Sequence, residues 1–443
     1  MTFSGSRRLV GLGFGAIQSG LFVYEAHRTG DYSPPLVIDI RADLVAGLRA
    51  GSGHFRVNIA RADRVDVAEL GPITVADSTL PGEAELIIEA IAGADEFASA
   101  LPSVAFYQTD GANSPHRLLA EGLRRRKRAE PLLVLCAENH RSAAELLEAA
   151  VLEAVPAGER EAVRGRARYV DTVIGKMSGV ITDPQELNES GLAMITSALP
   201  SAFLVEEFDR ILVSRAGAGI HPGMPVLREV DDLAPFEDAK LLGHNATHAL
   251  AGFLGSLLDL PLVADLPDVD GAMDFLRTAF IDESGATLCR RWEGADELFT
   301  EVGYAAFADD LLERMVNPYL ADTIDRAGRD PRRKLGWDDR LIGLIRLGLA
   351  EGVPTPRYAM GVAAGLEVLR ASETDHGYDA DLLRAGWPDG LDPDEVGLVI
   401  DAVAEGRDWL DDWLTGGFAN IPPNVPRHES LAGRSLQGPN GVV

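Results

Sequence analysis

A strand, a glycine-rich turn, a helix and a second strand follow one another at the start of this chain. The apolar run Arg8–Gly13 ends in the turn that holds Gly13 and Gly15, and Leu36–Ile40 forms the second apolar run. This order is the layout of a dinucleotide-binding βαβ unit, in which glycines let the backbone approach a pyrophosphate at the helix N-terminus. The chain therefore is expected to begin with a Rossmann-like domain.

The turn and the end of the second strand supply the candidate cofactor-binding residues. An acidic side chain at this strand end binds the ribose hydroxyls and repels a 2′-phosphate, so Asp39 favours NAD over NADP. Arg41, two residues later, could bind that 2′-phosphate, so NADP remains an alternative cofactor. Because Gln18 stands where G-x-G-x-x-G has its third glycine, the pattern alone is also compatible with a simple tight turn. The candidate set is Gly13, Gly15, Ala16, Ile17, Asp39 and Arg41.

Helical and strand-like patterns alternate further along this half. Alternation with short connections predicts a parallel, doubly wound sheet with ligands at the carboxyl ends of its strands. Asn139 follows the last buried strand at that position, although it is equally placed to cap the next helix. The basic run Arg124–Arg128 fits a solvated helix end. Strands are expected at Ile73–Ala76, Val104–Tyr107 and Leu132–Cys136, and helices at Glu83–Ile91 and Pro115–Arg128.

The second half reads almost entirely as helix. The sheet pattern fades near Pro200, and beyond Lys240 apolar residues recur at helical spacing. The sequence thus predicts an α/β fold: an N-terminal Rossmann-like doubly wound sheet (1–199) followed by a mostly α-helical C-terminal domain (200–415). The stretch 416–443 is rich in Pro, Gly and Asn and is expected to be an extended or disordered tail.

One helical stretch carries polar groups on an apolar background. It holds Glu237 and the pattern K-x4-N-x2-H, formed by Lys240, Asn245 and His248. Asn245 and His248, three residues apart, share a helix face. Such groups cost desolvation energy unless they are paired or used, and burial lowers a lysine pKa to where the amine can accept a proton at neutral pH. The alternative is a solvated lysine at a helix N-terminus and a hydrogen-bonded core histidine.

Charge narrows the possible partners. The chain has 443 residues and a formal net charge of −28, so it repels nucleic acid and anionic membranes, and neither is an expected partner. Against this background the basic cluster of Arg329, Arg333 and Lys334 stands out. It is a candidate for binding a phosphate or carboxylate of a small-molecule substrate, and a solvated helix end is the alternative.

Cysteine content and hydropathy indicate the cellular compartment in which the protein is expected. Cys136 and Cys289 are the 2 cysteines and form no C-x-x-C, which argues against a disulfide scaffold or a structural zinc site. No metal site is expected. Glycines interrupt the apolar N-terminal run, and no run of about 18 apolar residues occurs. A cytoplasmic protein is expected.

With these elements in order, the chain resembles the polyol-specific long-chain dehydrogenases, and within them most closely the mannitol-1-phosphate 5-dehydrogenases. The lysine pattern followed by Ala249–Gly255 looks like the catalytic helix of that family. Further similar segments are Cys136–Asn139, Glu283–Ala286, Asn317–Leu320 with Asp322, and the stretch from Arg326 to Leu341.

This resemblance implies a metal-independent, NAD-linked interconversion of a secondary alcohol and a ketone in a monomer or small homo-oligomer. Lys240 would be the general base, Asn139 and Asn245 would donate hydrogen bonds to the developing alkoxide, His248 would orient the substrate and Glu237 would relay the proton. A polyol or sugar phosphate of the mannitol 1-phosphate/fructose 6-phosphate type is expected.

The sequence departs from the family at Gln18, in a longer stretch between Ala76 and Val104, and in a segment expected near the lysine. Gly175-Lys176-Met177 stands where the family has Asp-Arg-Ile, so a carboxylate of the family is missing here, and Asp171 is a candidate substitute for it. Two alternatives therefore stay open. One is the same chemistry on an unphosphorylated polyol, a hexuronate or a specialised metabolite, and the other is a non-catalytic NAD-binding relative.

Overall fold

A computed structural model describes residues 5–207, 210–217, 219–372 and 377–421 of the chain. The chain divides into two compact units between Leu233 and Ala234.

The first unit is built on two sheets. The larger has the order β12-β11-β8-β7-β6-β1-β2-β5, and the smaller has the order β4-β3-β10-β9. The strands of the described residues are β1 (Leu9–Leu12), β2 (Leu36–Asp39), β3 (Phe55–Ala60), β4 (Val65–Leu70), β5 (Thr74–Asp77), β6 (Glu96–Ser99), β7 (Leu132–Cys136), β8 (Ala167–Val173), β9 (Ser178–Ile181), β10 (Ala202–Glu206), β11 (Ile211–Ser214) and β12 (Leu227–Val230).

Seven α-helices among the described residues of the first unit lie between its strands. A π-helical turn at Gln18–Val23 runs directly into the first of them. Apolar side chains of these helices and of both faces of the sheet form two buried clusters. The helices are α1 (Tyr24–Thr29), α2 (Ala42–Ala50), α3 (Ala84–Gly93), α4 (Pro115–Arg125), α5 (Ala143–Ala154), α6 (Arg160–Arg164) and α7 (Pro184–Ser190).

The predicted Rossmann-like sheet is confirmed, with two corrections. From β5 across to β8 the strands are parallel, but β11 pairs antiparallel with β8. The prediction of a strand at Val104–Tyr107 is wrong. Val104–Phe106 forms a 3₁₀ turn, and the side chain of Ser103 caps its first residues. The strand in that place is β6, whose Glu96 is fully buried and accepts hydrogen bonds from Tyr32 (2.6 Å) and Arg7 (3.2 Å).

The boundary between the units differs from the predicted domain boundary at residues 199/200. Strand β10 pairs in parallel with β3, and β11 pairs with β8, so both belong to the first unit. Because these partners lie far away in sequence, the loss of alternation near Pro200 did not mark the end of the sheet.

The described part of the second unit contains helices and no named strand. It contains two further π-helical turns, which we name the lysine π-turn (Ala239–Asn245) and the glutamate π-turn (Ala279–Gly285). Its helices are α8 (Ala234–Asp238), α9 (Ala246–Leu257), α10 (Ala272–Thr278), α11 (Ala286–Arg291), α12 (Glu301–Met315), α13 (Ile324–Gly328), α14 (Pro331–Lys334), α15 (Arg340–Glu351), α16 (Pro356–Ser372), α17 (Asp379–Arg384) and α18 (Pro393–Gly416).

The predicted tail lies mostly outside the described residues. Its first part, Gly417–Asn420, is a short 3₁₀ helix after α18, so the chain is not extended there. Among the described residues, no helix is long and apolar enough to cross a membrane.

Candidate active site

The glycine turn joins β1 to the helix that follows. Gly13 has φ of +79°, and a Cβ there would lie 2.9 Å from the carbonyl oxygen of Ala100, so a side chain would be strained twice over. A Cβ on Gly15 would meet no atom within 4 Å. Ala16 and Ile17 form the first helical residues after it. The turn thus exposes backbone with the free space that a phosphate group needs.

Gln18 does not disturb this turn. Its side chain is fully buried and packs over β1, where a Cβ on Gly11 would lie 2.4 Å from Gln18 Nε2. The glutamine side chain therefore occupies space that Gly11 leaves open. The close helix–strand packing that the third glycine of the pattern usually allows is provided here by a glycine on the strand.

Asp39 and Arg41 form a closed pair at the end of β2. Asp39 accepts hydrogen bonds from the backbone N–H of Phe14 (2.8 Å) and of Arg41 (2.9 Å), and from Arg41 Nε (3.0 Å) and a terminal guanidinium nitrogen (2.9 Å). Burial acts to raise the pKa of Asp39, but these hydrogen bonds outweigh it and hold that pKa below its usual value. The carboxylate thus organises the glycine turn, while the Arg41 side chain is 49% exposed.

Asn139 sits in the loop after β7, as predicted, next to a buried carboxylate. Glu138 accepts hydrogen bonds from Ser99 Oγ (2.5 Å), the N–H of Leu101 (2.9 Å) and the hydroxyl of Tyr107. These contacts tie the loop to the residues after β6. Glu138 was not among the predicted site residues, although it lies in the segment quoted for the resemblance.

Asp171, considered as a substitute carboxylate, has a different role in the first unit. Its side chain accepts a hydrogen bond from the N–H of Ala144 (2.8 Å) at the start of α5. Burial raises the pKa of Asp171 to about 6. It is a helix-capping residue in this fold.

In the second unit, the helix that carries the lysine shows a contrast in burial between its polar candidates and their neighbours. Glu237, Lys240, Asn245 and His248 are half-buried, whereas most of the residues between them are buried. In an α-helix, residues five apart point in different directions. Lys240 and Asn245 lie in the lysine π-turn, where hydrogen bonds join residues i and i+5, so this spacing makes one turn. The π-turn therefore brings the amine and the amide to the same face.

The environment of Lys240 lowers the pKa of its amine. Burial lowers the pKa of Lys240 to about 8; the charge of Glu237 acts to raise it and that of Arg340 to lower it. An amine with this pKa can accept and return a proton near neutral pH.

His248 is fixed by a carboxylate that comes from a distant segment. Its Nε2 lies 2.6 Å from Asp322 Oδ2, and Asp322 Oδ1 accepts from Arg326 at 3.2 Å. Burial acts to raise the pKa of Asp322, but the contact with His248 and the nearby charges hold it below its usual value. This pairing makes Nε2 the protonated nitrogen and leaves Nδ1 as the atom able to accept a hydrogen bond from a ligand.

The basic cluster is only partly available to a ligand. Arg333 pairs with Asp330 (2.9 Å) and Asp339 (3.4 Å). Lys334 is buried, donates to the carbonyl of Ala327, and has a pKa lowered to about 7 by burial and by neighbouring arginines. Arg329 is exposed and makes no hydrogen bond with the described part of the chain.

The cluster and the lysine belong to one charged region of the second unit. Arg340 lowers the pKa of both Lys240 and Lys334, and Lys334 lowers that of Asp322, which holds His248. No group of three or more His, Cys, Asp or Glu placed to hold a metal ion was found in the described ranges.

Comparison with known proteins adds a family match for the second unit. Residues 232–382 match the model of the mannitol dehydrogenase C-terminal domain. This segment includes the lysine helix, Asp322 and the basic cluster.

Solved structures resemble the chain over most of its length. A D-sorbitol dehydrogenase in substrate-free form superimposes with a TM-score of 0.71 at 16% identity, covering 94% of both chains. The Pseudomonas fluorescens mannitol 2-dehydrogenase, in a ternary complex with NAD and D-mannitol, gives a TM-score of 0.65 at 15% identity, covering 94% of this chain and 93% of that one. At these identities the likeness shows the fold, and it confirms the predicted order of a Rossmann-like sheet followed by a helical domain.

Proposed function

We propose that the protein is an oxidoreductase that transfers a hydride between NAD(H) and a secondary alcohol or ketone of a polyol or sugar phosphate. The observation that carries this proposal is the face formed by Lys240, Asn245 and His248, with the pKa of the lysine lowered to about 8. The match of residues 232–382 to a mannitol dehydrogenase domain supports the same class of substrate.

The first unit fits a dinucleotide. Gly13 and Gly15 leave the backbone open at the helix start, and Ile40, 64% exposed between Asp39 and Arg41, offers an apolar surface for an adenine ring. NAD, when bound, supplies the carbon that accepts or returns the hydride. The solved mannitol 2-dehydrogenase with the same fold contains NAD, which supports this choice of cofactor.

In alcohol oxidation, Lys240 accepts the hydroxyl proton on Nζ. The amide of Asn245 donates a hydrogen bond to the alkoxide that develops, which is the logic of an oxyanion hole. Asn139 is proposed as the second amide donor. His248, held through Nε2 by Asp322, accepts a hydrogen bond from a substrate hydroxyl at Nδ1. Glu237, whose charge favours the protonated lysine, passes the proton to solvent.

The phosphorylated substrate expected from the resemblance rests on Arg329, because Arg333 and Lys334 are engaged by neighbouring groups. These internal pairings favour the second candidate, an unphosphorylated polyol. The physical difference is simple: a phosphate needs donors that face it without competing carboxylates, and Asp330 and Asp339 compete here.

The test is NADH oxidation with a panel of ketoses and their phosphates, with fructose and fructose 6-phosphate as the first pair, each with and without a chelator. Turnover that survives chelation supports the lysine mechanism. A preference for fructose 6-phosphate that disappears in Arg329→Ala supports the phosphate site. Equal turnover of fructose and fructose 6-phosphate would rule out the phosphate site. If the protein binds NADH but turns over no ketose, a non-catalytic NAD-binding protein is favoured.

A further inference from the structure

The lysine π-turn creates a backbone group that needs a partner. In an α-helix the N–H of Ala246 would bond to the carbonyl of Leu242, but here it bonds to the carbonyl of Gly243. The Leu242 carbonyl is thereby released from its helical donor in a buried part of the unit. A buried carbonyl without a partner costs about 1–3 kcal/mol, so the π-turn is stable only if another donor fills this position.

Ser284 supplies that donor from the glutamate π-turn. Its hydroxyl, fully buried, donates to the Leu242 carbonyl oxygen at 3.0 Å. The serine has one hydroxyl hydrogen, so the second contact, 3.0 Å from Ser284 Oγ to the Tyr304 hydroxyl, must have tyrosine as donor. The chain of hydrogen bonds therefore runs from Tyr304 through Ser284 to Leu242.

Tyr304 is also a wedge between the two π-turns. A Cβ on Gly243, in the lysine π-turn, would lie 2.5 Å from the Tyr304 hydroxyl oxygen. A Cβ on Gly285, in the glutamate π-turn, would lie 2.7 Å from its Cδ1. One glycine in each π-turn thus makes room for the same aromatic ring, which packs edge-on against Phe280 with ring centroids 5.9 Å apart.

We propose that Ser284 and Tyr304 are positioning residues, which hold the lysine π-turn open and so keep Lys240 and Asn245 on one face. The proposal deepens the proposed function, since it assigns the support for the same base and oxyanion donor. Loss of the Ser284 hydroxyl removes this donor from the Leu242 carbonyl, and the helix replaces it by closing or moving the π-turn, which restores the N–H of Ala246 as a donor. Either change rotates Lys240 away from Asn245.

The test compares Ser284→Ala with Ser256→Ala. Ser256 is a matched control, because its hydroxyl donates to the carbonyl of Gly252 (2.9 Å) in the helix that follows the same π-turn. Crystal structures of both variants and of the wild type give the hydrogen-bond register of residues 239–245. We expect i to i+5 bonds in the wild type and in Ser256→Ala, and a closed or displaced π-turn in Ser284→Ala.

Kinetics give the second readout. A displacement of about 1 Å in a catalytic group costs about a hundredfold in rate, so kcat of Ser284→Ala should fall by ten- to a hundredfold. Its pH profile should move away from a midpoint of about 8, while NADH binding stays within about twofold of wild type because only the second unit is altered. Ser256→Ala should change neither kcat nor the pH profile.

Tyr304→Phe keeps the aromatic wedge and loses only the hydroxyl, so it serves if Ser284→Ala does not fold; several-fold loss of kcat with unchanged NADH binding is expected. An unchanged register and unchanged kcat in either variant would overturn the proposal. If the wild type turns over no ketose, the proposed function fails, and the crystal structures still decide whether Ser284 holds the π-turn.

Discussion

At the scale of single residues, the pKa of Lys240 leads to a prediction with opposite signs for the two reaction directions. Oxidation needs the neutral amine, so kcat for oxidation should rise with pH to a plateau above about 8 and fall about tenfold per unit well below it. Reduction needs the ammonium form and should decline above the same pH. Initial rates in both directions across the pH range measure this, and parallel profiles would contradict the assignment.

Removing the amine tests the same residue directly. Lys240→Ala should lower kcat by about 10²–10⁴-fold, the usual contribution of a positioned base, while NADH binding is retained. The exposed Lys127→Ala is the control for loss of a positive charge. Turnover within a few-fold of wild type in Lys240→Ala would show that another group takes the proton.

Arg41 should decide between the two nicotinamide cofactors. Both oxygens of Asp39 already accept two hydrogen bonds each, which fills the acceptor sites of a carboxylate, so a ribose hydroxyl must displace a donor of Arg41. Arg41→Ala should therefore leave NADH binding unchanged or tighter. It should weaken NADPH binding by about tenfold or more, since a charge-assisted bond to the 2′-phosphate is worth about 1.5–3 kcal/mol. Fluorescence titration of both cofactors measures this, and equal losses for the two would contradict it.

Part of the candidate site could be predicted from the sequence, and part depended on features that local sequence patterns do not show. Lys240, Asn245 and His248 stood out because they are polar in an apolar helix. The shared face of Asn245 and His248 followed from α-helical spacing, but the position of Lys240 relative to Asn245 was not predictable in this way, because it depends on the π-turn. Asp322 contacts His248 across 74 positions of sequence, a distance that local patterns do not reach. The functional roles of all these residues stay predictions.

At the scale of elements, strand β6 also could not be predicted from local sequence, because its burial depends on residues that are distant in sequence. Glu96-Phe97-Ala98-Ser99 does not look like a central strand, because its first residue is a carboxylate. It becomes one because Arg7, Tyr32 and the N–H of Gly223 (2.6 Å) satisfy that carboxylate. Strands with continuous apolar runs, such as β1, β2 and β7, were predicted correctly because their burial is encoded locally.

Two glycines of α18 predict opposite effects of alanine substitution on stability, so that one variant serves as the control for the other. A Cβ on Gly406 would lie 2.3 Å from the backbone carbonyl carbon of Ala359 in α16, whereas a Cβ on Gly397 would meet no atom within 4 Å. Gly406→Ala should destabilise by about 1–3 kcal/mol through overpacking, and Gly397→Ala should stabilise by up to about 1 kcal/mol through helix propensity. Denaturant unfolding of both variants measures the signs, and a stabilised Gly406→Ala would show that the two helices pack less closely.

At the scale of the whole molecule, the location of the boundary can be tested with two fragments. Fragment 1–233 keeps the pairing of β10 with β3 and of β11 with β8, so both sheets of the first unit are complete. Fragment 1–199 removes β10 to β12, exposes the β3 edge and the core around it, and leaves a long unpaired edge. We expect the longer fragment to unfold cooperatively and to bind NADH with a dissociation constant within about tenfold of that of the full chain, since independent sites are usually additive.

The shorter fragment should aggregate or lack a cooperative transition under the same conditions. Neither fragment should turn over a ketose, because both lack Lys240. Circular dichroism during denaturation and NADH fluorescence provide the measurements. A stable, NADH-binding fragment 1–199 would show that β10, β11 and β12 are accessory to the first unit, and would return the boundary to the place where the alternation of helix and strand fades in the sequence.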